Sequence, residues 1–106
     1  MDINTLWSFI QEIIKPDMRI RNWTAKNGYL NTYTQITDKS STRIEIITQN
    51  KKNTIQLFKA DFQYILSVWD EYYSGQKLRS EMRYQSFKIT YLLAIIKYIC
   101  DKEQYI

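Results

Sequence analysis

The sequence predicts an α+β domain: an N-terminal helix, an antiparallel meander of three to four short strands, then two to three C-terminal helices with a helix-turn-helix-like end. Three observations carry this. Apolar residues recur at helical spacing over residues 3–14 and again from residue 59 onward. Residues 18–57 instead alternate in short Ile-, Tyr- and Thr-rich runs. Turn clusters separate those runs, and Asn27-Gly28 is the strongest hairpin signal among them.

The first helix places Ile3, Leu6, Trp7, Ile10, Ile13 and Ile14 on one stripe. Asp2 is its N-cap, and Pro16 stops it, because the residue before a proline is driven out of the helical region. Met18 and Ile20 then alternate with Arg19 and Arg21. "YLNTYTQI" follows the hairpin, and "TDKSS" is a polar turn before "TRIEIIT". "QNKKN" turns the chain into "TIQLF", with Ile55 and Leu57 on one face. A meander with one apolar face needs helices to cover it. Residues 59–73 supply one, with Phe62, Ile65, Leu66, Trp69, Tyr72 and Tyr73 as its stripe. Asp61 suits its first turn, where the helix dipole favours a negative charge, and Ser74-Gly75 ends it. A short helix is expected over residues 77–84, and Ser86 is the N-cap of a last helix reaching about residue 102.

At 106 residues the chain has the size of one domain, 1–106, with enough surface to bury a modest core. Aromatics make up 15%, which separates it from disordered chains. The formal net charge of +4 suits an anionic partner, either nucleic acid or an acidic protein surface. A single cysteine forms no intrachain disulfide, and the first residues lack the basic start and apolar core of a signal peptide. The longest apolar run, "YLLAII", is far short of a membrane span. A cytoplasmic protein with no membrane contact is the expectation.

Catalytic chemistry is poorly represented. The chain has no histidine, which removes triads, Cys-His dyads and most transition-metal sites. The two glycines, Gly28 and Gly75, lie too far apart for either phosphate-cradling glycine motif. Pro16-Asp17 begins like a metal nuclease motif, but Glu45 is followed by Ile46 and Ile47 where that motif needs a lysine. Cys100 lies on an apolar arc and reads as core. No enzyme, no metal and no cofactor are expected.

The informative stretch is "LRSEMRYQSFKITYLLAIIKYI". From Gln76 to Lys97 the residues Lys77, Arg79, Arg83, Lys88 and Lys97 face the single acid Glu81, a local +4 that equals the charge of the whole chain. On the last helix Ile89, Leu92, Leu93, Ile95, Ile96, Ile99 and Cys100 form the core arc. Phe87, Thr90, Tyr91, Ala94, Lys97, Tyr98 and Asp101 form the other arc, either a contact surface or a second packing face. Lys88 lies near the core edge and is expected to snorkel to solvent. Two helices joined near "YQS" match a helix-turn-helix in outline. In that reading Ser86, Lys88, Thr90 and Tyr91 meet base edges, while Arg79 and Arg83, with Lys77 and Lys97 nearby, hold phosphates. Lys51-Lys52 at a hairpin tip is a candidate wing, and Arg21 adds charge from the strands. The competing reading of tip lysines is that they keep a sheet edge soluble.

The C-terminal half resembles small uncharacterised proteins and domains of bacterial mobile elements, phages and restriction loci. The matching residues are Lys59, Asp61, Phe62, Trp69, Tyr72, Gly75, Arg79, Tyr91 and Ile95, in a strand that leads into a "K-x-D-F" helix, a "W-x-x-Y-x-x-G" end, a basic turn and a "Y-[IL]-[IL]-x-I-[IL]" helix. The resemblance implies no particular activity, only a setting in DNA transactions or host–virus conflict. Two functions follow. One is a non-enzymatic nucleic-acid-binding module, with duplex DNA the expected ligand of the 77–98 helix pair. The other is a small protein-interaction module, such as a phage-type inhibitor of a host defence enzyme or a homodimer. It would use Tyr29, Tyr33, Tyr91, Tyr98 and Tyr105, since tyrosine is enriched at interface hot spots.

Overall fold

A four-stranded antiparallel sheet in simple meander order carries its helices on one face. The architecture comes from a computed structural model, which describes residues 1–48, 50, 52–82 and 84–103. Helix α1 (Ile3–Ile13) leads into β1 (Arg19–Thr24), β2 (Gly28–Lys39), β3 (Arg43–Ile47) and β4 (Thr54–Phe58). Helices α2 (Lys59–Ser67) and α3 (Trp69–Tyr73), a 3-10 turn (Arg79–Glu81) and helix α4 (Ser86–Glu103) complete the chain. The α+β class and the element order agree with the sequence.

Local chemistry explains the boundaries. The Asp2 carboxylate accepts the Thr5 N–H at 2.8 Å and starts α1. Asp17, past Pro16, takes φ +72°, a region that Asp tolerates better than most residues. Its N–H donates to the Ile36 carbonyl, so the entry to β1 is already tied to β2. Gly28 closes the first hairpin at φ +70°, where a side chain would be strained.

The sheet's inner face is an apolar ladder. Ile20 stands opposite Thr34, Ile36 opposite Ile46, and Ile44 opposite Leu57, all buried. A bulge at Asn22 breaks the alternation of β1, so both Asn22 and Trp23 are buried. Asn22 is satisfied there by the hydroxyls of Thr32 and Thr34, at 2.8 and 2.6 Å. Trp23 packs on Trp69 and Tyr73, each with ring centroids 5.6 Å away.

Helix α4 is the central element. It touches β1 and β4 and also α1 and α2. Its second arc divides: Ala94, 1% exposed, and Lys97, 9%, pack inward, whereas Phe87 is exposed and Thr90, Tyr91 and Tyr98 are half-buried. The helix expected over residues 59–73 divides at Val68, whose N–H bonds to Ile65 three residues back rather than in α-helical register. The restart as α3 lays Trp69 and Tyr72 against Trp23. Where a short helix was expected over 77–84, the described residues hold a single 3-10 turn. Among the described residues, no helix is long and apolar enough to cross a membrane.

Candidate nucleic-acid interface

The segment after α3 is built to hold Arg79 at the surface. Gly75 ends α3 at φ +85° and lets the chain turn away. The Glu81 carboxylate accepts the Leu78 N–H at 2.7 Å, and Met82, 7% exposed, plugs the end of the turn into the core. Between them Arg79 is exposed, and its Nη2 donates to Thr90 Oγ1 at 3.0 Å. That bond ties the turn to the first coils of α4.

Two clefts meet at Arg79. One, of about 510 Å³, lies between the β1–β2 hairpin and the 3-10 turn, with Ala25, Lys26, Tyr72, Lys77, Leu78 and Arg79 in its wall. The other, of about 570 Å³, lies between the start of α4 and the end of the sheet, with Asn53, Ile55, Phe87, Thr90 and Tyr91 beside Arg79. No acidic side chain lines either cleft among the described residues. Phe87, 58% exposed, and Leu78, 60% exposed, present apolar surface on either side. Lys52 is exposed in the β3–β4 turn next to Asn53, where Asn50 Oδ1 accepts its N–H at 3.1 Å.

Not every residue expected at this interface belongs to it. Lys77 and Arg79 line the first cleft, and Arg79, Thr90 and Tyr91 the second. Lys88 does not snorkel to solvent. It is 8% exposed and its ammonium lies 3.0 Å from Asp61 Oδ2. Lys97 is also withdrawn, 2.8 Å from Asp101 Oδ1 and 5.3 Å from the rings of both Trp23 and Tyr73. Helical angle assigned Lys88 to the core edge and Lys97 to the free arc, but Asp61 of α2 holds the first and the Trp23 cluster covers the second. Arg21 points to the outer face of the sheet, donating through Nε to the Leu30 carbonyl at 2.5 Å. Lys51 and Arg83 lie outside the described residues, and the side chain of Ser86, the first residue of α4, is outside them too.

The tyrosines proposed for a protein interface are dispersed. Tyr33 sits on the outer sheet face under the Arg19 guanidinium, 4.6 Å from its centroid. Tyr29 donates its hydroxyl to Asp101. Tyr98 is half-buried, with the Lys102 ammonium 5.7 Å from its ring, and Tyr105 lies outside the described residues.

Two similar clusters were not legible beforehand. Asp61, 3% exposed, accepts from Lys88, from the Tyr84 hydroxyl and from the Phe58 N–H. Asp101 accepts from Lys97 and Tyr29. Burial, then the bond to each carboxylate, pushes the phenols of Tyr29 and Tyr84 up to about 12. Burial works against the charge on Lys97, but the hydrogen bond and charge of Asp101 outweigh it and its pKa is raised. Lys26, Asn53 and Leu78 were also missed as cleft residues; the turns that carry Lys26 and Asn53 were the available signal. Comparisons with known protein families, with curated proteins and with solved structures gave no match for this chain.

Proposed function

We propose that this chain is a non-enzymatic nucleic-acid-binding module whose contact surface is the pair of clefts at Arg79. The observation that carries the reading is the composition of their walls: Lys26, Lys77 and Arg79 line them with no described acid. Cations around a concavity focus potential and draw a polyanion. Lys52 extends the positive surface past the second cleft. Lys88 and Lys97 hold carboxylates instead and contribute no phosphate contact. A single cysteine, buried, agrees with a reducing, cytoplasmic setting.

The test is equilibrium binding to labelled polynucleotides across a salt series. If Lys26, Lys52, Lys77 and Arg79 each neutralise one phosphate, log K falls against log salt with a slope of about −3 on single strands and about −3.6 on duplex. The Lys77→Glu/Arg79→Glu variant is expected to lose binding with an unchanged far-UV spectrum. Absence of binding at low salt refutes the reading. The exposed Leu78 and Phe87 favour a second one, an acidic protein partner such as a host defence enzyme, with apolar anchors in the same clefts. Affinity for that partner would depend little on salt.

A further inference from the structure

We infer that the occupant of the Arg79 clefts is a single strand rather than a duplex, with bases stacked on Phe87 and Tyr91; this rests on the nucleic-acid reading above. Shape is the first argument. Reading a duplex takes a protruding element that enters a major groove about 12 Å wide. Here the reading position is concave. Thr90 and Tyr91 sit in the wall of a cleft, and a three-residue 3-10 turn precedes α4. Each cleft falls in the ~300–1,000 Å³ range of a small-ligand site. That is room for individual nucleotides, while a double helix is too wide to enter.

The lining is the second argument. A surface that only holds a duplex backbone uses cations and small polar donors. This cleft instead exposes an aromatic ring: Phe87 is 58% accessible at the start of α4, with half-buried Tyr91 and Ile55 beside it. Every base has a π-face, and stacking on such rings tolerates any sequence. Asn53 and Thr90 add polar side chains to the same wall, of the kind that unstacked base edges can hydrogen-bond. Arg79, steadied by Thr90, stands where the strand passes from one cleft to the other, placed to bind the phosphate between two bases. The apolar wall of the first cleft, Ala25 and Leu78, suits a second base.

The experiment uses the full chain and fluorescence anisotropy with three probes at low salt: oligo-dT, oligo-rU and a blunt duplex. Each is about 12 nucleotides or base pairs long, within the ~4–16 nucleotides that small single-strand folds cover. The single strands are expected to bind at least about tenfold tighter than the duplex, a difference of ~1.4 kcal/mol. The ratio of dT to rU reports whether DNA or RNA is the source. Phe87→Ala is expected to lose about 5- to 150-fold on single strands, the range of one stacked base, and little on duplex. Phe87→Tyr is expected to retain binding. Phe87 is exposed, so these variants leave the core intact, and a melting curve checks this. Equal affinity for single strand and duplex, or a Phe87→Ala variant that binds normally, overturns the inference and leaves the nucleic-acid reading standing. No binding to any probe overturns both and points to the acidic protein partner.

Discussion

Removing the Asp61 carboxylate is expected to be among the most damaging polar substitutions in this protein. Asp61 is 3% exposed and holds three donors: the Lys88 ammonium at 3.0 Å, the Phe58 N–H at 2.7 Å and the Tyr84 hydroxyl. In Asp61→Ala the lysine charge stays behind, 8% exposed and 5.3 Å from the Phe58 ring. Breaking a buried pair from one side costs roughly 3–5 kcal/mol, most of it the penalty of the stranded charge. The lower end applies, because the Lys88 side chain retains 10% of its accessibility. A domain of this kind has about 5–15 kcal/mol of stability, so ~3 kcal/mol is a large share. Lys88→Met is expected to cost less, about 1–2 kcal/mol, because the carboxylate keeps its bonds to Phe58 and Tyr84. The Asp61→Ala/Lys88→Met double variant removes both charges and strands neither. Its loss is expected to fall below the sum of the single losses by at least about 1 kcal/mol. Urea unfolding at neutral pH, followed by tryptophan emission and far-UV dichroism, measures all four proteins. With a slope of ~1–3 kcal/mol/M, a loss of ~3 kcal/mol moves the midpoint by ~1–3 M. An Asp61→Ala cost under about 1 kcal/mol, or additive single losses, would refute the reasoning.

Other expectations are simpler. Tyr29 and Tyr84 have folded pKa values of about 12 against an ordinary 10.0, so the unfolded chain releases these protons first. Stability is therefore fully present below pH 10 and falls as pH rises from there toward 12. The Tyr29→Phe/Tyr84→Phe variant is expected to flatten that part of the pH profile of the urea midpoint. Phe62→Ala empties a site that is fully buried and packed against Trp7, and should cost about 3–5 kcal/mol in the same assay. Gly28→Val forces a β-branched residue to φ +70° and should cost at least about 1–2 kcal/mol, read as a lowered melting temperature. Burial raises the pKa of the Cys100 thiol, which is 3% exposed. It should react with a thiol reagent only as fast as the protein opens, and rapid labelling of the folded protein would contradict its place in the core.

Much of the candidate site was legible because it lies on one stretch of chain. Lys77, Arg79, Thr90 and Tyr91 are close in sequence, and the surplus of positive charge there is plain by inspection. The other half of each cleft was not legible. Ala25 and Lys26 come from the first hairpin, and Asn53 and Ile55 from the third turn and the strand after it. Nothing local says which turn will face which helix. The bulge at Asn22 was invisible for a similar reason: alternation predicts Trp23 on the outer face, and the fold needs it inside with Trp69 and Tyr73.

The sequence by itself determined the order of the helices and strands, apart from the break at Val68 and the 3-10 turn at Arg79–Glu81. Periodicity, caps and turn residues act over a few neighbours, and here they agree with one another from Asp2 to the last helix. Only the tertiary structure decided which positive charges reach the surface. A helical wheel assigns Lys88 and Lys97 an angle but says nothing of what stands at that angle. Asp61, 27 residues away in the chain, takes up Lys88, while Trp23, Tyr73 and Asp101 enclose Lys97. Removing a charge from water depends on the whole packed environment, because a buried ammonium is tolerable only where a carboxylate has been brought to meet it. Arg79 is exposed and Lys77 half-buried, both in the wall of the first cleft.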